Sequence, residues 1–428
     1  MQPRLVIVST YPPRGCGLAS FARDLRSALL AAAPGWRVDI CALDCDGLAY
    51  GPEVSAVIAQ HDAADFQRAA DAIASAGTDL VIIEHEYGIF GGPDGEHVRH
   101  LAAGLRRRGV PYAVTLHTML AHPTPARAAV LGELCANAAL VTVFTETGQR
   151  ILAEQRLAGA DRVVILPHGA PPALRQPVDA AALRPVVAQT LATLGRGPVL
   201  STFGLIRPDK GLDLAIEALP AVVAHHPTAR YLIAGATHAD IIRRSGEQYR
   251  DHLVALAQRL GVQQHVTFLN TFLTDAEVAA VLDATDLYLT PYRCIEQISS
   301  GTLTFAVVAG CPTVSTAYRY AEDLLAPRDG AAAGVVVPCD STALATAILR
   351  LLDQPEALDR ARKAADTLGA TLTWPAVAAR FVDTLQPLLS REVRRTPDGR
   401  RPVSDPQRLR PIPRRGRRRG RPWRRYGR

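Results

Sequence analysis

Short runs of apolar, often β-branched residues alternate with segments of helical period along nearly the whole chain, and this alternation constrains the fold more than any other feature. Each run in the first half is almost entirely apolar and then turns polar. Buried strands of a parallel sheet have this pattern where their carboxyl ends open into a crevice. We therefore predict an α/β protein with a doubly wound parallel sheet, whose first strands cover residues 5–10, 38–44, 80–86, 112–117, 140–145 and 163–168.

The alternation stops over residues 171–197, which are rich in Pro and Ala, and then begins again. Two doubly wound sheets in tandem create a cleft between two sets of strand ends. We predict two tandem Rossmann-like domains over residues 1–180 and 181–372, followed by a closing helix over residues 373–390. The predicted strands of the second domain cover residues 199–204, 230–237, 266–270, 287–292, 312–316 and 334–339.

Length and charge separate a folded body from a basic tail. The chain has 428 residues, 48% of them hydrophobic, which is enough for two cores and excludes bulk disorder or a collagen-like repeat. Residues 391–428 hold 16 Arg against three acidic residues, so the body carries about −6 although the whole chain carries +7. We expect this tail to be disordered. It is either a solvated segment or an electrostatic tether to an anionic membrane surface, and we expect no specific nucleic-acid partner.

Cysteine content and hydropathy indicate the compartment. Seven cysteines are an odd number, and they show no repeated CxxC spacing, so neither a disulfide framework nor a zinc site is indicated. The first apolar run is too short for the core of a signal peptide. No apolar stretch reaches the roughly 18 residues of a membrane span. We therefore expect a cytoplasmic protein, with the tail as its one means of reaching a membrane surface.

A glycine-containing loop follows the first strand and enters a helix. Gly15 and Gly17 allow the backbone to approach a phosphate at the helix start. The same loop is a near match to the dinucleotide fingerprint, with Ser20 in place of the third glycine and Asp39 or Asp44 as the ribose acid. A nicotinamide-dependent oxidoreductase is therefore an alternative. Asp44-Cys45-Asp46 also resembles a metal-binding DxD, but we interpret it as a strand-end loop and expect no metal.

The second domain contains a cationic loop after its first strand. Arg207 and Lys210 in RPDKG can reach one anion together, and an Arg fork with a Lys point charge suits a diphosphate that gains negative charge as it departs. Lys210 and Lys363 are the only lysines in a chain that otherwise uses Arg. An ordinary surface turn is the competing interpretation.

The sequence QISSGTLTFAVVAG, residues 297–310, predicts a helix whose start could seat an anion. Ser299 or Ser300 can cap it, and the exposed N–H groups of Gly301, Thr302 and Leu303 would point at a phosphate. Set opposite the cationic loop, this helix would complete a diphosphate clamp. A plain capped core helix is the alternative.

Three histidines lie at the ends of predicted strands. His85 and His117 are placed to donate to a sugar hydroxyl or to stabilise a phosphate oxygen, although a histidine at a strand end is often structural. His168, in LPHG, is expected to shape the hinge between the domains.

Together these blocks resemble the retaining glycosyltransferases of family 4, the group 1 glycosyltransferases with two Rossmann-like domains known as the GT-B fold. The resemblance covers residues 4 to about 390. The blocks that carry it are, in order, TYPPRGCGLASFARDL, HEYGIFGG, TLHT, LPHGAP, FGLIRPDKGLDLAIEA, AGATH, LTPY, SGTLTFAVVAGCPTVSTAYRYAEDLL and GVVVPC.

The resemblance implies transfer of a hexose from a nucleotide diphosphosugar to an acceptor hydroxyl with retention of configuration and without a metal or other cofactor. The acceptor would be a glycan, a lipid-linked sugar or a small molecule, bound mainly by the first domain. It implies catalytic roles for Arg207, Lys210 and His117 and acceptor-side roles for His85 and Glu86. The donor-binding residues that it implies are Gly15, Gly17, Gly204, Gln297, Ser299, Ser300, Gly301, Thr302 and Leu303.

One departure from the family pattern affects the donor site. The family's paired glutamates, eight residues apart, fall here on Gln297 and Phe305, and the second acid commonly binds the ribose. Glu296 or Glu322 could take over that contact, or the donor could differ. A divergent but active subgroup with SGTL at this place is our preferred interpretation, and a non-catalytic protein that binds sugar nucleotides or glycans is the further alternative.

Overall fold

The first sheet has seven parallel strands in the order β3-β2-β1-β4-β5-β6-β7. The computed structural model describes residues 2–326 and 331–389, so the tail predicted over residues 391–428 lies outside the described residues. All six strands predicted for this half are present. The strands are β1 Arg4–Ser9, β2 Arg37–Asp44, β3 Val54–Ala59, β4 Leu80–His85, β5 Tyr112–Leu116, β6 Leu140–Val143 and β7 Val163–Ile165.

Strand β3 was not predicted from the sequence. This strand lies at the sheet edge, where its side chains alternate between exposed and partly buried positions, and Val57 is 45% exposed. Its sequence therefore lacks the continuous apolar run that marks the central strands. The helices of this half are α1 Gly17–Ala32, α2 Ala63–Ser75, α3 Val98–Arg107, α4 Pro125–Asn137 and α5 Glu146–Glu154.

The second sheet has six parallel strands in the order β10-β9-β8-β11-β12-β13, and each matches a predicted strand. One α-helix, α6 Pro185–Ala192, lies in the segment that connects the two sheets, after two short turns of 3-10 helix. The strands are β8 Val199–Phe203, β9 Arg230–Ala234, β10 Val266–Leu269, β11 Leu287–Thr290, β12 Thr313–Thr316 and β13 Gly334–Val337.

Helices follow the strands of the second sheet and continue beyond it. The last of them, α15, returns to the first half of the chain and packs against α1. The helices are α7 Leu212–His225, α8 Ala239–Ser245, α9 Gln248–Arg259, α10 Asp275–Asp283, α11 Gly301–Val308, α12 Arg319–Leu325, α13 Ser341–Asp353, α14 Pro355–Ala370 and α15 Trp374–Leu389.

The apolar core is continuous between the two sheets. One cluster of buried side chains contains Leu5 and Phe21 from the first half together with Leu303 and Trp374 from the second. Residues 2–389 accordingly belong to one compact unit. Two tandem parallel sheets with helices confirm the predicted α/β fold class. In the described residues, none of the helices combines the length and the apolar character needed to cross a bilayer.

Candidate functional site

The cationic loop forms a single turn of 3-10 helix, Pro208–Lys210, after β8. The ammonium Nζ of Lys210 lies 3.7 Å from the centroid of the Tyr292 ring, within the range of a cation–π contact. Gly211 follows with φ 59°, and a Cβ built on it would lie 2.0 Å from the carbonyl oxygen of Pro291, so only glycine fits this turn. The guanidinium of Arg207 is 45% exposed, and its Nε donates to Asp209 at 2.8 Å.

The start of α11 lies beside Lys210. The Tyr292 hydroxyl is 2.7 Å from Oγ1 of Thr302, and a Cβ built on Gly204 would lie 3.0 Å from Cγ2 of Thr302. Gly204, Lys210, Tyr292, Gly301 and Thr302 therefore form one group, which we call the Lys210 cluster. Three of the predicted donor-side positions and one predicted catalytic position belong to it.

Ser300 caps α11, and this changes the expected set of N–H donors. Its Oγ accepts from the N–H of Leu303 at 3.3 Å, so that N–H is already engaged. Within residues 2–326 and 331–389, the N–H groups of Gly301 and Thr302 have no hydrogen-bond partner. The anion seat expected at three N–H groups is thus reduced to these two.

The loop that precedes α11 reaches the first sheet. The Ser299 hydroxyl donates to the carbonyl oxygen of His117 at 2.9 Å. The amide nitrogen of Gln297 is not directed at the Lys210 cluster. It donates instead to the carbonyl oxygen of Ser299 at 2.8 Å. Glu296 accepts from the N–H of Ala121 and from Arg319, both at 2.8 Å.

These contacts bear on the expected ribose acids. Burial raises the pKa of Glu296, but the Ala121 N–H and the Arg319 guanidinium more than offset this and hold the pKa below its ordinary value. The Glu296 carboxylate is therefore committed to the contact between the two halves. Glu322 is exposed on α12 and lines a cavity of about 1150 Å³ between α5 and α12. That cavity borders no residue of the Lys210 cluster, so its size does not make it the donor site.

His117 and His168 stand side by side on the first-sheet side of α11. Both rings contact Phe21, at centroid distances of 4.8 and 4.9 Å, and both contact Phe144, at 5.0 and 5.7 Å. A Cβ built on Gly301 would lie 3.1 Å from Nε2 of His168, so this imidazole faces the helix start directly. We call His117, His168, Phe21 and Phe144 the imidazole wall.

His168 is neutral in this environment. Burial lowers its pKa to about 4, and the nearby His117 acts in the same direction. Its Nδ1 lies 2.7 Å from the carbonyl oxygen of Gly169 and so carries the hydrogen, since a carbonyl can only accept. Nε2 then presents a lone pair towards Gly301. His168 is thus an acceptor at the candidate site, and its predicted role at a hinge stays a prediction.

Phe305 fills the place where the family pattern has an acid. Its ring lies 6.4 Å from that of His168 and 6.2 Å from that of Phe203. The Phe305 ring therefore adds an apolar surface next to His168 of the imidazole wall.

His85 does not line the cleft as expected. Its side chain is 0% exposed, it stacks on Phe90 and meets Tyr87 edge-on, and neither ring nitrogen has a hydrogen-bond partner. The aromatic residues of the following loop fold over it, so His85 is a core residue in this structure. Glu86 is half-buried, and its carboxylate accepts a short hydrogen bond from Thr118.

The glycine loop lies at the start of α1. The cap residue Cys16 makes no side-chain capping bond, and Gly15 and Gly17 are exposed with nothing within 4 Å of a Cβ built on either. Phe21, one turn further along α1, is part of the imidazole wall. The start of α1 is thus open and close to His117 and His168.

The carboxylates required by the dinucleotide alternative are already engaged. Asp39 pairs with Arg4 at 2.9 Å and with Arg37 at 3.0 Å. Asp44 accepts from the N–H groups of Asp46 and Leu48, both at 3.2 Å, and so stabilises its own turn. This agrees with the interpretation of the DxD sequence as a strand-end loop.

Sequence reasoning missed two residues of this site. Tyr292, which holds Lys210 and Thr302 together, lies in LTPY, where an aromatic after a strand gives no sign of its partners. Glu84 lies near the end of a predicted strand, and its Oε2 lies 2.8 Å from Nε2 of His117. A carboxylate next to a histidine on an adjacent parallel strand was the available signal.

Comparison with known proteins gives a family match for the second half of the chain. Residues 197–354 match the family model described as "Glycosyl transferases group 1". A D-inositol 3-phosphate glycosyltransferase of Acidothermus cellulolyticus is 32% identical over 268 residues, which is 58% of this chain and 56% of that protein. A phosphatidyl-myo-inositol mannosyltransferase of Mycobacterium leprae is 29% identical over 41% of this chain and 42% of that protein. The chain spans about half the length of the curated relatives it matches.

Solved structures match over most of the chain at low identity. The sucrose-phosphate synthase of Thermosynechococcus elongatus superposes with a TM-score of 0.70 at 19% identity, covering 90% of this chain and 99% of that one. HepE of Anabaena in complex with UDP superposes with a TM-score of 0.69 at 17% identity, covering 90% and 100%. These likenesses establish the GT-B fold. The chain therefore has the GT-B fold, and its residues 197–354 are similar to the group 1 glycosyltransferases.

Proposed function

We propose that the protein transfers a hexose from a nucleotide diphosphosugar to an acceptor hydroxyl with retention of configuration and without a metal. The observation that carries this proposal is the Lys210 cluster, in which an ammonium group and two unpartnered helix N–H groups meet beside Tyr292 and Thr302. A cation and a helix start stabilise the same kind of ligand, a phosphate. The group 1 glycosyltransferase match covers these residues.

The geometry suits a departing diphosphate better than a static one. As the bond between the sugar carbon and the phosphate oxygen breaks, negative charge grows on that oxygen. Lys210 and the start of α11 would oppose that charge, and donors placed where charge develops lower the barrier most. The departing oxygen then takes the acceptor's proton while the new glycosidic bond forms on the same face, so the configuration is retained. Arg207 would reach the phosphate after leaving its exposed contact with Asp209.

The two halves of the site would divide the donor between them. Gly15 and Gly17 leave the start of α1 open for the diphosphate from the opposite side. His117 would hold the transferred sugar, and His168, whose ring lies 6.4 Å from that of Phe305, would face the ribose. The relatives' names point to inositol phosphates as acceptors to test first, alongside glycans and lipid-linked sugars.

Replacement of Lys210 tests the proposal. In a panel of nucleotide sugars, the slow hydrolytic release of nucleotide reports turnover without requiring the acceptor. Lys210→Ala should lower kcat by roughly 100- to 1000-fold, the usual loss when one charge-stabilising donor is removed. Lys363→Ala is the matched control, because this other lysine lies on α14, 76% exposed and paired with Asp359. Equal turnover in the Lys210 and Lys363 variants would remove Lys210 from the mechanism.

Two alternatives make different predictions in the same preparations. A nicotinamide-dependent oxidoreductase would be stabilised against heat by NAD and not by UDP, GDP or ADP. A non-catalytic sugar-nucleotide-binding protein would be stabilised by a nucleotide yet release none from any donor.

We further propose that the Arg-rich segment, residues 391–428, holds the protein at anionic membrane surfaces of the cytoplasm. Its 16 arginines against three acids support an electrostatic contact. The full chain should co-sediment with vesicles containing phosphatidylserine and not with phosphatidylcholine vesicles. Added salt should release it, because exposed charges are screened over short distances. Equal sedimentation with both vesicle types would contradict the tether.

A further inference from the structure

Glu84 is the most enclosed carboxylate near the candidate site. It is the second-last residue of β4, and its side chain is 0% exposed. Its Oε2 lies 2.8 Å from Nε2 of His117. Among residues 2–326 and 331–389, its other oxygen, Oε1, accepts a hydrogen bond only from the Thr115 hydroxyl, at 3.4 Å. A buried carboxylate needs a hydrogen-bonded partner to offset the loss of water, and His117 is that partner.

The main chain and neighbouring rings fix the orientation of His117. Its N–H donates to the carbonyl oxygen of His85 at 3.0 Å, which extends the pairing of β4 with β5 by one residue. Its carbonyl oxygen accepts from Ser299 at 2.9 Å. Phe21 and Phe144 meet the ring edge-on from two sides. The imidazole therefore cannot turn without breaking its contact with Glu84.

The Glu84 contact determines which ring nitrogen carries the hydrogen in neutral His117. An ionised carboxylate can only accept, so Nε2 is the donor and Nδ1 is left with a lone pair. Within the part of the chain that the structure describes, Nδ1 has no hydrogen-bond partner. A lone pair accepts from a hydroxyl, whereas a phosphate oxygen without hydrogen cannot bond to it.

We propose that Glu84 is a positioning residue that holds His117 as the Nε2–H tautomer, so that Nδ1 accepts a hydrogen bond from a hydroxyl of the transferred sugar. The inference rests on the proposed function and makes it more specific. It divides the site into a phosphate side at Lys210, which donates, and a sugar side at the imidazole wall, which accepts. His168 has the same arrangement, with Nδ1 bonded to Gly169 and Nε2 left as the acceptor. A donor sugar whose hydroxyl is replaced by fluorine or hydrogen would lose this contact.

The tautomer can be read directly on the full-length protein. Long-range proton–nitrogen NMR of a chain labelled with ¹⁵N-histidine distinguishes Nε2–H from Nδ1–H, and His117→Gln assigns the signal. We expect Nε2–H for His117 near neutral pH. Glu84→Gln should give a mixture, because a glutamine amide can donate as well as accept. An Nδ1–H signal in the wild-type chain would overturn the proposal, and this measurement requires no variant of Glu84.

Turnover supplies the second readout. Glu84→Gln should lower kcat/KM for hydrolytic nucleotide release roughly 10- to 100-fold, the scale seen when a group that orients a functional histidine is replaced. Binding of the free nucleotide diphosphate should stay within about twofold of wild type, since the diphosphate does not contact the imidazole. Wild-type turnover in Glu84→Gln would contradict the inference. So would an equal loss of kcat/KM for the intact donor and for the fluorinated or deoxy donor, provided that the wild-type enzyme distinguishes these two donors.

Asp353→Asn provides the matched control. His226 and Asp353 form a second histidine–carboxylate pair, 2.9 Å apart, on the surface of the second half of the chain. This variant should alter the NMR signals of His226 and leave turnover unchanged. If wild type released no nucleotide from any donor, the proposed function would fail, and the tautomer measurement would still decide whether Glu84 orients His117.

Discussion

His85 and His168 are two imidazoles enclosed by aromatic side chains, and both are held neutral by burial. Burial lowers the pKa of His85 to about 3 and that of His168 to about 4, in each case with a smaller contribution from the charge of His117. In the unfolded chain a histidine titrates near 6.5. Between these values the unfolded state binds more protons than the folded state, so the free energy of unfolding falls as the pH falls from about 6.5 towards 4.

Replacement of His85 should reduce this acid sensitivity. At about pH 4.5 the neutral His85 ring lowers the free energy of unfolding by on the order of 2 to 3 kcal/mol relative to neutral pH. His85→Leu removes the ionisable ring, whose two nitrogens lack partners, so its urea midpoint should fall less than that of wild type between about pH 7 and 4.5. The exposed His61, changed to Gln, is the control. Parallel pH profiles for wild type and His85→Leu would show that the ring is not held neutral.

At the scale of one element, the start of α10 holds the segment that connects the two sheets through a contact between Glu277 and Arg184. Thr274 and Glu277 form a capping box. Oε1 of Glu277 also accepts a hydrogen bond from Nε of Arg184, at the start of α6, at 2.6 Å. The Arg184 hydrogen bond is the main cause that lowers the pKa of Glu277 to about 2. Glu277→Ala should therefore destabilise the protein by about 2 kcal/mol, because it removes one half of the capping box together with the ion pair to Arg184, whose side chain is 45% exposed.

Urea unfolding measures this loss, and Asp340→Ala calibrates it. Asp340 caps α13 through one bond to the N–H of Ala343 at 2.8 Å and has no cationic partner among the described residues, so about 1 kcal/mol is expected. Similar losses in the two variants would mean that Arg184 contributes nothing at α10.

Elements were easier to predict from the sequence than contacts between them. Twelve of the thirteen strands stand out because central parallel strands are continuously apolar, whereas the edge strand β3 lacks that signal. Lys210 and Gly301 were found because charge and glycine spacing are local properties. Tyr292 and the partner of His117 depend on residues far away in the chain, and no local pattern records which aromatic or carboxylate will be the neighbour.

At the scale of the whole molecule, the loop before α11 couples the two halves. Ile298 lies in this loop of the second half, yet it is 1% exposed and packs in a core cluster whose other buried members all belong to the first half of the chain. Ser299 and Glu296, on either side, bond to the main chain at His117 and Ala121. The same loop leads directly into the Lys210 cluster. The contact between the two halves and the Lys210 cluster are thus joined by the six residues 296–301.

Truncation of Ile298 should loosen this coupling. Ile298→Ala removes most of a buried side chain at about 2 to 5 kcal/mol, and the loss falls on the contact between the halves rather than on either sheet alone. We expect a larger radius of gyration by small-angle scattering and a raised KM for the donor. Ile348→Ala is the control, because Ile348 is 0% exposed in a core cluster of the second sheet and should cost similar stability without changing the radius. Ile298→Ala could instead lower the melting temperature as Ile348→Ala does but keep the wild-type radius of gyration and KM. In that case Ile298 would contribute only to the core, and the contacts of Ser299 and Glu296 alone would connect the first half of the chain to the Lys210 cluster.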